Sequence, residues 1–229
     1  MRYPGGKNGA GVYQTIINHM PPHRTYIELF LGSAAIMRNK RQAEINIGID
    51  LDDTLFTDDL TLRRGFKFYG MCAMKFMERT FEPCMDTRET LIYADPPYVH
   101  STRFKTNLYQ HEMTDEDHDR VLELLCSTNC NVMISGYDNP LYAARLCGWS
   151  RIKYNAMTRG GVRQETLWFN FPQPTALHDY RYLGEGYRER ERIKRKKERW
   201  AMKLAALPTL ERQAILAAFD EGGFLQQQN

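Results

Sequence analysis

The chain has 229 residues, of which 42% are hydrophobic and 26% are charged, and its formal net charge is +3. A chain of this length supports one substantial core together with a smaller second unit or tail. No apolar run approaches the roughly 20 residues of a membrane helix, and the polar, glycine-rich start lacks a signal segment, so we expect a soluble, cytoplasmic protein.

Three predicted strands come first along the chain. Residues 25–31 form the first strand and lead into a glycine turn and a helix. Residues 45–50 form the second strand, which ends on Asp50, and residues 91–94 form the third, which is followed by Asp95. Parallel strands that end in this way bring their carboxylates to one edge of a sheet, which is where α/β proteins bind ligands.

The following segment contains a predicted capped helix and two further strands. Thr114 is a suitable N-cap and Asp117 the third residue of a capping box. Together with His118 these acids could form a metal site, but helix capping explains them more simply. Strands are predicted at 130–136 and 165–171, and the alternation of strands and helices indicates an α/β fold with a mostly parallel sheet.

The C-terminal region differs in composition. Residues 186–206 are mostly helix formers, and Thr209 can cap a second, short amphipathic helix. Between Arg188 and Arg199, eight of twelve residues are Lys or Arg and three are Glu. This charge favours a polyanionic partner, although a solvated helix with Glu–Arg pairs would have the same composition. The second helix could pack on the main domain or mediate self-association.

The five cysteines do not form a CxxC pair or a series of zinc ligands. Their number is odd, and reduced thiols in the core of a cytoplasmic protein are the expected state. The sequence therefore predicts no metal site.

Two features point to a nucleoside cofactor. A strand that ends in Gly32-Ser33-Ala34 and opens a helix lets backbone N–H groups approach a ligand. Asp50 lies 18 residues after Gly32, at the end of the next strand, where an acid commonly binds ribose hydroxyls. Asp52 and Asp53 follow closely, and either could be the ribose ligand instead. The chain has no GxxxxGK[ST] motif, so an ATPase function is disfavoured.

The motif Asp95-Pro96-Pro97-Tyr98 fits recognition of an amine on a planar ring. The prolines lack N–H groups and have fixed φ angles, so the Asp95 side chain and the Pro96 carbonyl can act as two convergent acceptors for an –NH₂ group. Tyr98 can stack on the ring. Acceptance of both amine hydrogens returns electron density to the nitrogen, which can then attack an electrophilic carbon.

Five segments together resemble the Dam-type DNA adenine methyltransferases, over most of residues 1–172 and in the family's order. These segments are Arg2-Tyr3-Pro4-Gly5-Gly6-Lys7, Glu28-Leu29-Phe30-Leu31-Gly32-Ser33-Ala34, Asp95-Pro96-Pro97-Tyr98, Asp115-Glu116-Asp117-His118 and Glu165-Thr166-Leu167-Trp168-Phe169-Asn170. The resemblance implies a Rossmann-like class I methyltransferase fold, S-adenosylmethionine as cofactor without a metal, and direct methyl transfer to the amine of an adenine that is turned out of the helix.

The sequence departs from the family pattern in two places. Ala34 replaces the second glycine of the usual FxGxG turn. Only 44 residues separate Asp50 from Asp95, where larger relatives insert a target-recognition domain. We therefore predict a methyltransferase domain over residues 1–175 with a reduced insert at about 54–88, and a basic helical extension over 176–229.

The predicted site residues fall into three groups. The resemblance implies that the cofactor contacts Tyr3, Gly5, Gly6, Lys7, Glu28, Phe30, Gly32, Ser33, Asp50 and Asp95. It implies that the target adenine contacts the catalytic residues Asp95, Pro96, Pro97 and Tyr98. Basic composition predicts nucleic-acid contacts for Arg63, Arg64, Lys67, Arg188, Arg190, Arg192, Lys194, Arg195, Lys196, Lys197 and Arg199. An additional acid that contacts the adenine could be Glu78, Glu82 or Asp86.

These observations predict an S-adenosylmethionine-dependent enzyme, of bacterial or phage origin, that methylates the adenine amine in duplex or single-stranded DNA with relaxed or short-site specificity. The alternatives are the same chemistry on RNA, transfer to the cytosine amine, and a nucleic-acid-binding protein without turnover. The C-terminal helices are candidates for forming a homodimer.

Overall fold

A computed structural model describes residues 6–9, 11–99, 112–158 and 161–221. The chain divides into two compact units, residues 1–182 and 183–229. The predicted division lay after residue 175. In the described part of the chain, no helix has the length and apolar character needed to cross a membrane.

The first unit is built on a seven-stranded sheet with the order β3-β2-β1-β4-β5-β7-β6. The strands are β1 (Thr25–Leu29), β2 (Ile45–Asp50), β3 (Phe66–Gly70), β4 (Thr90–Ala94), β5 (Asn131–Gly136), β6 (Ser150–Thr158) and β7 (Gly161–Phe169). Strand β7 runs antiparallel to both of its neighbours, β5 and β6, and all other neighbouring strands pair in parallel. This arrangement is that of a Rossmann-like class I methyltransferase fold, so the predicted fold class is confirmed.

Helices flank the sheet. The helices of the first unit are α1 (Val12–Ile17), α2 (Ala35–Asn39), α3 (Asp58–Thr61), α4 (Ala73–Arg79), α5 (Asp115–Cys126) and α6 (Pro140–Arg145), with short 3₁₀ turns at Asp53–Leu55 and Pro83–Met85. The capping box of α5 is confirmed: Thr114 Oγ1 accepts a hydrogen bond from Asp117 N at 3.2 Å, and Asp117 Oδ2 accepts one from Thr114 N at 2.9 Å.

Two hydrophobic clusters pack on opposite faces of the sheet, because successive residues of a strand point to opposite sides. Tyr26 and Tyr93 belong to the cluster that includes residues of α1 and α2, whereas Ile27 and Ile92 belong to the cluster with α4 and α5. All four side chains are fully buried. Full burial of a large apolar side chain stabilises the fold by about 1.5–3 kcal/mol, which makes this sheet a rigid support for its edge.

Residues 54–88, the expected reduced insert, contain β3 and α4. Strand β3 pairs in parallel with β2, and Phe76 of α4 is completely buried in the core. This stretch therefore supplies an edge strand and a core helix of the domain. A target-recognition role for its loops stays a prediction.

The cysteines are all free thiols, but they are not all in the core. Cys130 is buried and Cys72 is intermediate, whereas Cys84, Cys126 and Cys147 are exposed. The expectation of core thiols therefore holds fully for Cys130 alone, which lies directly before β5.

The second unit consists of α7 (Tyr187–Ala205) and α8 (Thr209–Glu221), as the composition of the tail predicted. The first turn of α7 is closed by a backbone hydrogen bond, in which Arg190 N donates to Gly186 O at 3.0 Å. Within α7, Arg192 forms an ion pair with Glu189 at 3.2 Å. The other basic side chains of α7 are mostly exposed.

Candidate active site

The carboxyl ends of β1, β2 and β4 lie level with one another and border a cleft. Leu29 pairs with Ile49 on one side and with Ala94 on the other, so the residues that follow these strands meet at one edge. The residues that line the cleft include Gly6, Lys7, Glu28, Phe30, Gly32, Ser33, Asp50, Asp95, Pro96, Pro97 and Tyr98. The structure thus brings together every predicted cofactor and catalytic residue except Tyr3 and Gly5, which lie outside the described residues.

The turn after β1 has an unusual backbone. Phe30 and Ala34 both have positive φ angles, of 60° and 54°, and Gly32 has a φ of 51°. Residues other than glycine in this left-handed region cost roughly 1–2 kcal/mol each. Ala34, which replaces the family's second glycine, therefore adopts the conformation that glycine would favour. The turn forms one wall of the cleft.

Asp50 is fixed by two backbone N–H groups. Its Oδ2 accepts a hydrogen bond from Gly32 N at 2.7 Å and its Oδ1 accepts one from Asp52 N at 3.0 Å. Asp52 instead accepts from Thr54 N at 3.1 Å and begins the 3₁₀ turn. Of the three acids considered for the ribose, Asp50 alone lines the cleft, so its position favours it over Asp52 and Asp53.

Asp95 belongs to a network of buried polar side chains. Lys7 Nζ lies 2.8 Å from Asp95 Oδ1 and 3.0 Å from Glu165 Oε2. The Tyr98 hydroxyl accepts a hydrogen bond from Lys7 Nζ at 2.9 Å and donates to Glu165 Oε1 at 2.7 Å. Tyr154 donates to Glu165 Oε2 at 2.8 Å. One lysine is thus shared by two carboxylates, and both Lys7 and Asp95 line the cleft.

The electrostatics of this network keep its charges in place. Burial disfavours the charged form of Lys7, but the carboxylates of Asp95 and Glu165 outweigh it and hold the Lys7 pKa well above its usual value. Burial also raises the pKa of Asp95, to about 6, although Lys7 opposes this shift. For Glu165, burial is outweighed by Lys7 and by the hydrogen bonds from the two tyrosines, and the pKa is lowered. Near neutral pH the network holds one ammonium and two carboxylates.

The side chain of Asp95 retains 19% exposure, whereas Lys7 and Glu165 retain 4% each. Asp95 is therefore the most exposed charged member of the network, although Lys7 and Tyr98 also line the cleft. The outer surface of Asp95 can accept hydrogen bonds from a ligand, while Lys7 supports the carboxylate.

The Tyr98 ring is oriented by neighbours on two sides. Its hydroxyl is bound within the network, and the Tyr137 ring packs against it with a centroid distance of 4.3 Å and an interplanar angle of 41°. Arg163 lies over the other aromatic ring, 5.5 Å from the Tyr137 centroid. Base stacking on Tyr98 stays a prediction, and any base would contact a ring whose orientation is already set.

Glu28 is a second buried acid beside the cleft. It is 3% exposed and accepts a hydrogen bond from the Tyr26 hydroxyl at 2.9 Å. Burial raises the pKa of Glu28 to about 8, so this carboxyl is mostly neutral at pH 7. A neutral Glu28 can donate a proton in a hydrogen bond as well as accept one, and it adds little negative charge near Asp95.

Glu165 and Tyr154 were not among the predicted site residues. They lie directly opposite each other on β7 and β6. A signal was present in the sequence, because the predicted strand 165–171 begins with an acid directly before an alternating apolar run. Glu165 also begins the last of the segments that resemble the methyltransferase family.

The basic residues of the first unit that were predicted to bind nucleic acid do not line the cleft. Arg63 and Arg64 precede β3, and Lys67 is the second residue of that strand. These residues therefore lie toward the amino ends of the parallel strands, whereas the cleft lies at the carboxyl ends. The basic residues of the tail lie on α7 in the second unit. Nucleic-acid binding by either group, and self-association through the tail, stay predictions.

None of the three acids proposed to contact the adenine lines the cleft. Glu78 pairs with Arg120 at 2.8 Å, and Asp86 accepts a hydrogen bond from Asn129 N at 2.6 Å. The acids that do line the cleft, besides those named above, are Glu112 and Asp117. In the described residues, no group of three or more His, Cys, Asp or Glu side chains could hold a metal ion.

No protein-family model and no curated protein matches the chain. Among solved structures, the chain is similar to the 23S rRNA methyltransferase ErmE, with 12% identity over 97% of this chain and 90% of that one and a TM-score of 0.45. It is similar to TrmK of M. capricolum in complex with S-adenosyl-homocysteine, with 7% identity, coverage of 91% and 93%, and a TM-score of 0.45. It is also similar to the magnesium protoporphyrin IX methyltransferase ChlM of Synechocystis PCC 6803 with bound SAM, with 8% identity, coverage of 71% and 76%, and a TM-score of 0.44. These similarities are too distant to bear on the substrate.

Proposed function

We propose that the protein is an S-adenosylmethionine-dependent methyltransferase that acts on the exocyclic amine of adenine in DNA, with relaxed or short-site specificity. The observation that carries this proposal is the cleft in which Asp95, the most exposed charged member of its network, lies beside the glycine turn and Asp50. An acceptor for an amine and a set of contacts for a nucleoside are thereby adjacent.

The residues present fit S-adenosylmethionine. Asp50 is held by two backbone N–H groups and can accept hydrogen bonds from ribose hydroxyls. Ile49 and Met71 line the same cleft, and their apolar side chains suit a purine ring. When bound, the cofactor supplies a methyl group on a positively charged sulfur. The neutral thioether that remains after transfer is a good leaving group and needs no metal.

The residues of the chain prepare the amine for attack. Asp95 and the Pro96 carbonyl accept the two hydrogens of the amine, which raises electron density on its nitrogen. With S-adenosylmethionine bound, the nitrogen would be placed to take the methyl carbon, and the electron pair of the carbon–sulfur bond would remain on sulfur. One N–H proton is then released to the Asp95 carboxylate, whose pKa of about 6 allows it to pass the proton on to water.

Lys7 has a defined place in this scheme. It holds Asp95 ionised, because without a cation burial would raise the pKa of the carboxyl further. When Asp95 accepts a substrate amine, Lys7 keeps Glu165 as a partner at 3.0 Å. The ammonium therefore never becomes an unpaired buried charge.

Several features support DNA adenine as the target. A carboxylate at position 95 rather than a hydroxyl matches the adenine branch of the resemblance. The α7 helix carries a dense positive charge, which suits a phosphate backbone. A base must leave the stack before its amine can reach a recessed acceptor, and enzymes that modify bases achieve this by turning the nucleotide outward.

The test is methyl transfer from labelled S-adenosylmethionine to unmodified duplex DNA, single-stranded DNA and RNA, followed by digestion to nucleosides. We expect label on N6-methyl-deoxyadenosine. Label on cytosine, or on RNA alone, contradicts the proposal, and tight nucleic-acid binding without any label supports a binding protein without turnover.

Asp95→Ala should abolish transfer while cofactor binding, measured by calorimetry, is largely retained. Glu89→Gln is a matched control, because Glu89 lies at the amino end of β4 with a side chain that is 67% exposed. Turnover of Asp95→Ala at the normal rate would show that the role assigned to Asp95 is wrong.

A further inference from the structure

The hairpin formed by β6 and β7 extends beyond the rest of the sheet. The pairing of β5 with β7 ends at Gly136 and Thr166, whereas β6 and β7 continue to pair as far as Thr158 and Gly161. We call residues 154–158 and 161–165 the hairpin arm. At about 3.3 Å per residue, each of its five-residue strands projects roughly 16 Å past the carboxyl edge, on the side of the candidate active site.

The two faces of the hairpin arm differ. On the inner face, Tyr154 and Glu165 are buried and belong to the network that supports Asp95. The outer face is exposed, and it bears Met157 directly opposite Val162, with exposures of 69% and 59%. The hairpin arm is therefore fixed by the site on one side and presents an apolar pair to solvent on the other.

Two amide side chains lie next to this apolar pair on the outer face. Asn155 and Gln164 are directly opposite each other and both are exposed. Amide side chains can bind base edges and phosphate oxygens. The outer face thus combines a small apolar surface with hydrogen-bonding groups.

The charge of this region fits a polyanion. Lys153 and Arg151 continue the outer face toward the sheet, where Asp138 lies 3.0 Å and 3.8 Å from them. Arg163 contacts the Tyr137 ring, which in turn packs on Tyr98. In the described part of β6 and of the hairpin arm, Glu165 is the sole acid, and it is buried.

We propose that the outer face of the hairpin arm binds duplex DNA beside the target adenine, with Met157 and Val162 filling the space left by the base that has turned out. This inference rests on the proposed function. Apolar side chains that enter a base stack compensate for lost stacking, and such wedges are a known means of distorting a duplex. At the base of the hairpin arm, Glu165 accepts a hydrogen bond from Tyr98 at 2.7 Å, so the arm begins beside the ring on which the displaced adenine would stack.

The test compares methylation of duplex and single-stranded DNA by Met157→Ala/Val162→Ala. Because a single strand needs no base to be displaced, we expect kcat/KM on the duplex to fall at least roughly tenfold while the single-strand value stays within about twofold. The matched control is Ile45→Ala, since Ile45 is 43% exposed at the amino end of β2, on the opposite edge. An equal loss on both substrates, or no loss on either, overturns the inference.

A second measurement does not depend on turnover. A benzophenone amino acid placed at position 157 should cross-link to duplex DNA on irradiation, and the same group at position 45 should not. Equal cross-linking at both positions, or none at 157, overturns the inference. A wild-type protein that methylates single-stranded DNA alone overturns the inference but leaves the proposed function standing, whereas absence of label on adenine in any substrate defeats the proposed function itself.

Discussion

Replacement of Glu165 by glutamine tests the charged network around Asp95. Glu165 accepts three hydrogen bonds, from Tyr98 at 2.7 Å, Tyr154 at 2.8 Å and Lys7 at 3.0 Å. A glutamine has one acceptor oxygen, and its NH₂ group would meet donors. Removal of one partner of a buried ion pair costs roughly 3–5 kcal/mol, and because Lys7 keeps Asp95 we expect about 3 kcal/mol here.

This loss of stability corresponds to a fall in the melting temperature of roughly 6–12 °C for a domain of this size, measurable by calorimetry. Stability alone would not separate a role in catalysis from a role in folding. The discriminating measurement is the pH dependence of kcat/KM for methyl transfer.

The sign of the expected shift follows from the charges around Asp95. Burial raises the pKa of Asp95 to about 6, and the negative charge of Glu165 contributes in the same direction. Neutralising Glu165 removes that contribution, so the pKa of Asp95 should fall. Because Asp95 must be ionised to accept the amine, the acidic limb of the profile should move from near pH 6 to lower pH.

Glu165→Asp keeps the charge and should leave the acidic limb near its wild-type position even if its shorter side chain lowers stability. The exposed Glu89→Gln should change neither property. If the acidic limb of Glu165→Gln stays near pH 6, or moves upward, the electrostatic role assigned to Glu165 is wrong.

Two further predictions concern the glycine turn and the tail. Ala34→Gly should lower the free energy of unfolding by at least about 1 kcal/mol less than Ala35→Gly, because of these two alanines only Ala34 has a positive φ. Equal losses in denaturant unfolding would contradict the strain assigned to the Ala34 backbone. Replacing the four residues of the α7 cluster by glutamine should weaken duplex binding and reduce the magnitude of the slope of log K against log salt by roughly 1–4. Arg120→Gln, the control, should leave this slope unchanged. An unchanged slope for the α7 variant would show that the tail does not contact DNA. The cluster consists of Lys194, Arg195, Lys196 and Lys197.

The strands that carry the cleft could be predicted because their signals are local. Residues 45–50 form β2 as predicted, and the predicted apolar strand 91–94 lies within β4. The sequence analysis did not identify β3 or β6, which are edge strands with half-exposed or alternating residues and so lack a continuous apolar run. Helix α1 was also not identified, because it has only six residues and its N-cap, Gly11, provides no side-chain hydrogen bond.

The candidate site was predictable to the extent that its residues are close in sequence. Asp95, Pro96 and Tyr98 form one short motif, and Asp50 ends a strand. In contrast, Lys7 and Glu165 are 158 positions apart, and only the sheet order brings them together. A motif can thus indicate which atoms accept the amine, but not which buried charges keep those acceptors ionised.

The network also explains why a lysine lies beside an acid that must bind an amine. A carboxylate in a recessed site tends to become protonated, and a protonated Asp95 would lose an acceptor. Lys7 prevents this by holding Asp95 ionised, but a lysine bound to Asp95 alone would compete with the substrate amine for the same oxygen. Glu165 removes that conflict, because it binds Lys7 from the other side at 3.0 Å and keeps it paired when Asp95 turns to the substrate. Three charges are therefore the smallest set that maintains the acceptor and still leaves it available.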